Sequence, residues 1–440
     1  LTMARKMKDS GIEWIGEIPE GWEIVKIKYG VTKVGSGKTP SGGAEVYTDC
    51  GVLFLRSQNI YDCSLVLDNP TYISYETDLT MKSTRILPND ILLNITGASI
   101  GRCCVVPETL GPANVNQHVC IIRTNPEFFL PKFMQYFWVS YLGRYAISLF
   151  QTGGNREGLS FDAIRNTPIP YISIPEQSKI ITCLDSECSR IDVMLSKTRS
   201  SIEEYKKLKQ TVITQAVTKG VRGEREMKDS GNPWFRQIPA DWKLSRVGLH
   251  FSIILGKMLC TAPLNDTYTL EPYYCAADVH FDGVADSERK RMWFSPVEKE
   301  LYRVSVGDLL VVEGGAGAGG SAIVENQDSD TYIQNSIMIV RSKGNADNRY
   351  LRYLLEFLVK QGYIDIVCNK ATIPHFTKDK LSCVPFCLCP TGEQKEIADY
   401  LDVKCAEIDR LIAKKEQLVK ELESYKKSLI YEVVTGKRET

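Results

Sequence analysis

Histidine is scarce in this chain: His118, His250, His280 and His375 are the only four in 440 residues. None stands in an H-E-x-x-H or H-x3-H spacing, which argues against a helix-borne metal hydrolase. No G-x-S-x-G elbow carries a serine nucleophile. No [ND]-P-P-[YF] loop is present to hold a flipped base for amino-methylation. No apolar run approaches the ~18 residues that cross a bilayer. Net charge is absent too, because 54 Lys+Arg face 54 Asp+Glu. That excludes a protein held to nucleic acid by bulk charge, so such binding would need local patches or a partner's charge. Leu1 to Ser10 is polar, carries Arg5, Lys6 and Lys8, and does not read as a secretory leader.

Cysteine is plentiful, with 14 residues. Cys103-Cys104 and Cys120 run into the apolar pairs Val105-Val106 and Ile121-Ile122, which reads as small buried hydrophobes in a reducing compartment. A cytoplasmic protein is expected. Cys383, Cys387 and Cys389 lack the paired C-x2-C spacing of zinc sites and read as a strand entering a helix. No metal and no cofactor is expected in this chain. Hydrophobic residues at 43% and charged residues at 25% describe an ordinary globular protein, not a disordered tail or a disulfide scaffold.

What the sequence does contain is a duplication. Met7-Lys-Asp-Ser-Gly-Ile-Glu-Trp14 returns as Met227-Lys-Asp-Ser-Gly-Asn-Pro-Trp234, and Ile18-Pro19 and Trp22 return as Ile238-Pro239 and Trp242. Glu176-Gln177 returns as Glu393-Gln394 and opens a second match. Between these ends the halves diverge, with faint landmarks. Pro88-Asn-Asp-Ile-Leu92 faces Val306-Gly-Asp-Leu-Leu310, Gly97 and Gly101 face Gly315 and Gly319, and Asn116-Gln117 faces Gln334-Asn335. One scaffold carries two different middles.

From Ser178 to about Thr218 apolar residues recur at steps of three and four, the period of a helix with a seam. The seam is Ile180, Leu184, Ile191, Leu195 and Ile202, matched in the second copy by Ile397, Leu401, Ile408, Ile412 and Val419. A helix of about 40 residues would be ~60 Å long. Two of them with one pattern are expected to pack as an antiparallel pair. Each middle mixes strand-like runs (Val52–Leu55, Ile91–Leu93, Val119–Ile122; Leu309–Val312, Ile337–Val340) with a helical stretch, Pro131–Phe150 or Asn348–Tyr363. The aromatics of those stretches, Phe133, Tyr136, Phe137, Tyr141, Tyr350, Tyr353 and Phe357, are spaced as core residues. The fold class is therefore α+β: two α/β modules separated by a pair of long antiparallel helices, in a pseudo-twofold repeat. The expected boundaries are 1–172 and 223–388 for the modules, 173–222 and 389–440 for the helical regions.

Two phosphate motifs fail. Gly35-Ser-Gly37-Lys38-Thr39 ends like a phosphate-binding loop, but Thr32 occupies the first required glycine. Gly315-Ala-Gly317-Ala-Gly-Gly320 satisfies G-x-G-x-x-G, but Ser321–Glu325 follows instead of a helix, so a strand-to-strand turn is expected. No catalytic constellation emerges.

The openings Trp14-Ile-Gly-Glu-Ile-Pro-Glu-Gly-Trp22 and Trp234-Phe-Arg-Gln-Ile-Pro-Ala-Asp-Trp242 carry a family resemblance. So do Glu176-Gln177-Ser-Lys-Ile180 and Glu393-Gln394-Lys-Glu-Ile397, and Asp90-Ile-Leu with Asp308-Leu-Leu. The whole layout resembles the specificity subunit of type I restriction–modification systems. The resemblance implies a prokaryotic protein and a non-catalytic DNA-binding adaptor. Each target-recognition module would read one half of a split, asymmetric duplex site, and the paired helices would set the gap. The helices would also dock two methyltransferase subunits that use S-adenosylmethionine to methylate adenine. Restriction subunits, with ATP and Mg, would join through that core. This sequence departs from the family where Cys387-Leu-Cys389-Pro-Thr-Gly392 replaces a proline-rich run, which leaves the exact helix start open.

Recognition residues carry no motif, so loops are chosen by chemistry. Arg56-Ser57-Gln58-Asn59 offers donors suited to guanine and adenine edges. Gln151, Thr152 and Arg156 lie in a glycine-rich polar loop, and its second-half counterpart holds Asn369, Lys370 and Thr372, with His375. Arg289-Lys290-Arg291 is the densest basic run. From Ile18 to Arg165 there are 13 basic and 13 acidic residues, and from Ile238 to Cys383 there are 16 and 18. Neither module is a cationic clamp, so weak binding alone and firm binding in complex is expected. Two other classes compete. The recognition part of a fused type II restriction–methyltransferase enzyme would need catalytic and cofactor motifs. A coiled-coil scaffold without a DNA role would leave the methyltransferase fully specific by itself.

Overall fold

The computed structural model describes residues 5–151, 158–285, 288–326, 330–368 and 374–440. The chain forms two compact units, and neither is one continuous segment. The first holds residues 1–199 and 417–440, the second residues 200–416.

In the first unit a four-stranded antiparallel sheet has the order Cys103–Val105, Ile91–Asn94, Val119–Thr124, Val31–Ser36. Its central strands are uninterrupted apolar runs because both faces are covered. Alternation of side chains divides each strand between two cores. Ile91, Leu93, Cys120 and Ile122 face the helices, while Leu92, Val119 and Ile121 face the other way, with Leu55, Ala113 and Val115. Those last three come from a five-stranded sheet in which Val52–Leu55 pairs parallel with Ala113–Val115.

The second unit repeats this plan. Its four-stranded sheet runs Phe251–Leu255, Ile337–Ser342, Leu309–Val312, Ser321–Ile323. Leu309 and Val311 enter one core, Leu310 and Val312 the other. The repeated Met-Lys-Asp openings form matching small hairpins, Met7–Asp9 with Glu17–Pro19 and Met227–Asp229 with Gln237–Pro239. The glycine-rich segment around Gly315–Gly320 is the turn between Leu309–Val312 and Ser321–Ile323, as its composition suggested.

Each long helix is continuous, Ile174–Lys219 and Thr391–Val434. In the first unit Lys426 reaches Asp192 at 2.6 Å and Arg199 reaches Glu423 at 2.6 Å. In the second, Lys209 reaches Asp409 at 2.6 Å and Lys415 lies 5.6 Å from the Tyr205 ring. Residue numbers fall on one helix as they rise on the other, so within each unit the helix segments are antiparallel. Such exposed pairs contribute about 0–1 kcal/mol each, so the apolar seam does most of the work. Ile180, Leu184, Ile191, Leu195, Ile202, Ile397, Leu401 and Ile408 are buried. Ile412 and Val419 are only half-buried. Residues near the helix starts are covered by the module as well as by the opposing helix, whereas Val419 sits at the margin of its cluster. Burial also pushes the thiols of Cys188 and Cys405, equivalent seam positions, up to about 11.

Two expectations need correction. The stretch 131–150 is not one helix but two, Pro131–Val139 and Tyr141–Phe150, broken at extended Ser140, whose hydroxyl donates to the Phe137 carbonyl at 2.6 Å. The break turns Tyr141 outward: it is 59% exposed, whereas Phe133, Tyr136 and Phe137 are core, as are Tyr350, Tyr353 and Phe357.

Candidate nucleic-acid interface

Four polar devices are repeated in the two units and give both modules one frame. Asp90 accepts two hydrogen bonds from Arg123, both at 2.7 Å, and one from the Leu87 amide at 2.7 Å. Asp308 does the same with Arg341, at 2.7 Å twice, and with the Ser305 amide at 2.8 Å. Each carboxylate therefore ties the turn before the central strand to the neighbouring strand. Gln177 accepts from the Leu130 amide and donates to the Phe128 and Ile172 carbonyls. Gln394 accepts from the Asp347 amide and donates to the Cys389 carbonyl. Both glutamines are fully buried and fix the long-helix start against the module helix. Tyr136 donates to Asp185 at 2.7 Å and Tyr353 to Asp402 at 2.8 Å, and burial raises both phenols well above their ordinary range. The fourth device shapes the first loop. Asn59 Oδ1 accepts from the Arg56 amide at 2.9 Å, and Asp278 Oδ2 accepts from the Cys275 amide at 2.8 Å.

In the first unit three loops meet. Buried Asn94, at the end of the central strand, donates to the Ser57 carbonyl at 2.8 Å and to Ser99 at 3.1 Å. The Asn116 amide donates to the Leu55 carbonyl at 3.0 Å, and Thr96 bonds His118 Nδ1 at 2.6 Å. Thr96 also bridges Gly158, the first described residue after the loop that holds Thr152 and Arg156. The segment Arg56–Asn59, chosen from the sequence, thus meets this turn at Ser57, and the chain returns to it at Gly158. The side chains are not equivalent. Arg56 lies 5.8 Å over the Tyr47 ring, and Asn59 is 5% exposed with its carboxamide spent on Arg56 and Val66. Ser57 and Gln151 are half-buried, and Gln58 is exposed. Thr152 and Arg156 lie outside the described residues.

The second unit repeats the convergence with other side chains. Gly314 bridges His375, the Gly315 amide donates to the Pro374 carbonyl at 3.2 Å, and His375 Nδ1 lies 3.3 Å from Glu313. Asn369, Lys370 and Thr372, just before this point, lie outside the described residues. Of the basic run, Arg289 stacks over Tyr274 at 4.5 Å and contacts Asp278 at 3.3 Å, while Lys290 and Arg291 are exposed on an edge strand. Gly256 approaches the Gln334 carbonyl so closely that a Cβ would lie 2.4 Å from its oxygen, and Gly37 approaches Val115 in the same way.

The family profile for the type I restriction modification DNA specificity domain matches this chain twice, over residues 19–204 and 239–423. The chain belongs to that family. It is a type I restriction–modification specificity subunit whose two profile matches coincide with the duplication. A protein of Methanocaldococcus jannaschii named for the MjaX type I restriction enzyme specificity subunit is 24% identical over 96% of this chain and 95% of its own length. The EcoBI specificity subunit of Escherichia coli is 27% identical over 38% of this chain and 35% of its own. Among solved structures, one reported for complex assembly and conformational transition of the type I R-M system has a TM-score of 0.71 at 18% identity, over 95% of this chain and 98% of that one. The HsdS subunit of Thermoanaerobacter tengcongensis has a TM-score of 0.55 at 18% identity, over 96% and 98%. These likenesses show the fold.

Membership explains which polar residues recur. In this specificity subunit Asp90, Asp308, Gln177 and Gln394 are scaffold, because each is buried and bonded mostly to backbone or to one arginine. One repeat escaped sequence reading: Gly37-Lys38 and Gly256-Lys257 are equivalent, since the Gly37 and Gly256 amides donate to the Val119 and Ile337 carbonyls. Lys38 is exposed beside Thr39 and Gln117, which are hydrogen-bonded to each other, whereas Lys257 is buried against Glu298 at 2.6 Å. A Gly-Lys pair in each half was the available signal. Among the described residues no cluster of His, Cys, Asp and Glu could hold a metal, and no helix is long and apolar enough to cross a membrane.

Proposed function

We propose that each module of this specificity subunit reads one half of a split duplex site with the loops described above. The paired helices set the gap and dock two methyltransferase subunits that methylate adenine, with restriction subunits joined through them. On this reading the chain is not itself an enzyme and acts in the cytoplasm. S-adenosylmethionine, ATP and Mg belong to its partners. The functional regions are residues 1–172 and 223–388 for reading, 173–222 and 389–440 for spacing and docking. One observation carries the reading: the same scaffold positions hold different side chains in the two units. Arg56-Ser57-Gln58 corresponds to Cys275-Ala276-Ala277, Thr96 to Gly314, and Gln117-His118 to Asn335-Ser336. A shared frame with divergent edges suits two different half-sites, because base edges differ in their donor and acceptor pattern.

The test is to co-express the chain with a methyltransferase subunit from the same system and map methylated adenines across a genome. A bipartite motif with a fixed gap is expected, and a continuous motif or none overturns the reading. Inserting seven residues, one heptad, into each long helix should alter the gap and leave both half-site sequences as they were. Gln58→Ala should weaken recognition of one half-site by about 1–3 kcal/mol. Equal weakening at both half-sites would show that Gln58 does not read bases.

A further inference from the structure

A cleft of about 270 Å³ in the first unit is lined by Lys28, Val31, Thr32, Lys33, Val34 and Arg165. Three of these six residues are cations and none is acidic. Each cation keeps donors to spare. The Lys33 ammonium, with three N–H groups, donates one to the Ser83 carbonyl at 2.8 Å. The Arg165 guanidinium, with five, donates one to the Val34 carbonyl at 3.0 Å and lies 3.7 Å from Asp162, which is exposed to solvent. The Lys28 ammonium sits 5.2 Å over the exposed Tyr29 ring.

The second unit supplies an internal control. The short helical turns Ile27–Gly30 and Val247–His250 are equivalent, because the Ile27 amide donates to the Thr167 carbonyl and the Val247 amide to the Val384 carbonyl. Lys28 therefore corresponds to Gly248. Lys33 is opposite Arg123 and Ser252 is opposite Arg341, the two arginines of the repeated carboxylate lock. Arg165 and Ser382 lie in equivalent short helices, and Ser382 stands against Gly248. The same frame thus folds with glycine and two serines where the first unit has three cations. The scaffold does not require the charge.

The backbone differs at the same spot. The strand Val31–Ser36 has a register shift, with Val31 opposite Thr124 and Lys33 opposite Arg123, so Thr32 is an extra residue. Its counterpart Phe251–Leu255 pairs without interruption. A bulge re-aims side chains, and bulges gather next to functional sites. The three cations and the bulge occur together in the first unit; the second has no bulge there and carries instead Lys343, from a different position, whose ammonium donates to the Gly248 carbonyl at 2.8 Å.

We propose that Lys28, Lys33 and Arg165 form a phosphate-binding cleft with which the first unit alone grips the backbone of duplex DNA, independently of base sequence. The proposal rests on the DNA-reading function above and adds a non-reading contact to it. One exposed and two half-exposed cations, each with spare donors along one open cleft, suit a row of phosphodiesters. Burial and the neighbouring Arg123 guanidinium both pull the Lys33 ammonium below its ordinary pKa, and an anion in the cleft would oppose that pull.

The test compares the parent with a K28S/K33S/R165S variant, each as the full chain bound to its methyltransferase subunits, on a duplex carrying the mapped site. Serine is what the second unit carries at the positions of Lys33 and Arg165, and Lys28 is exposed, so folding should be retained, and the thermal midpoint checks this. The single K28S variant, at an exposed position, serves if the triple variant is unstable. The slope of log affinity against log salt, about −0.9 per phosphate contact, should become shallower by about 1–3, with the methylated motif unchanged. Lys28 and Lys33 should also be shielded by the duplex from acetylating reagent, as read by mass spectrometry. An unchanged slope with both lysines still reactive overturns the proposal while the split motif keeps the DNA-reading function standing. Loss of the motif in the parent itself removes both. Inorganic phosphate that stabilises the parent but not the variant, with no change in slope, would assign the cleft to a small anion. Loss of methyltransferase co-purification with an unchanged slope would assign it to an acidic protein surface. Either result overturns the duplex proposal.

Discussion

Asp90→Ala is expected to destabilise the first unit by about 3–5 kcal/mol and to leave the second unit intact. The Asp90 side chain is 1% exposed and Arg123 is 31% exposed. Removing the carboxylate strands a half-buried guanidinium and leaves the Leu87 amide without its acceptor. The lesion sits at the entry to Ile91–Asn94, the strand that ends at the loop cluster. Asp308→Ala should do the same to the second unit, where the lock to Arg341 and the Ser305 amide has the same form. Hydrogen exchange read peptide by peptide would show protection lost across residues 85–124 in one variant and 303–342 in the other. In the methylation assay each variant should degrade recognition of one half-site. A uniform loss over both units, or a cost under about 1 kcal/mol, would show that the carboxylates are surface pairs of the weak kind.

Trp22→Ala and Trp242→Ala should each cost about 3–5 kcal/mol, the usual penalty for emptying a large aromatic site. Both indoles are essentially unexposed. Each also backs the C-terminal end of a long helix. A Cβ at Gly436 would come 2.8 Å from the Trp22 ring, and one at Gly220 would come 3.2 Å from Trp242. Both glycines have positive φ, +69° and +76°. The loss should therefore fray residues 430–440 in the first case and 213–225 in the second.

The two sites separate under a milder change. Trp22 Nε1 donates to Glu176 at 3.0 Å, while Trp242 Nε1 has no partner. Trp22→Phe should thus cost about 1–2 kcal/mol more than Trp242→Phe. Burial works to raise the Glu176 carboxyl, but hydrogen bonds from Arg5 and Trp22 outweigh it and hold the group below its ordinary value. A depressed carboxylate stabilises the fold above its unfolded pKa and loses that contribution as pH falls through the folded one. The extra cost of Trp22→Phe should accordingly shrink below about pH 4.5, the ordinary value. Equal costs at neutral pH, or a gap that widens on acidification, would contradict the assigned hydrogen bond. Urea melts of the two variants at pH 7 and at low pH decide it.

By itself the sequence determined the duplication, the strands and both long helices. These are local signals: alternation and apolar runs mark strands, and a three-four step over about 40 residues marks a helix. It also marked Asp90 and Asp308 as landmarks, though not their purpose, because Arg123 and Arg341 are 33 residues further on and nothing in a linear pattern joins them. The tertiary structure decided which loop residues remain available. Asn59 looked like a base reader, yet the fold spends its amide on closing a turn, as it spends Asp278. Tyr141 had core spacing, yet a helix break at Ser140 turned it out. The cleft of Lys28, Lys33 and Arg165 could not be seen at all from the chain, because one cation lies more than 130 residues from the others. Periodicity is written along the chain and can be read there. Which polar groups are consumed by folding, and which are left for a ligand, depends on partners brought together only when the sheet closes.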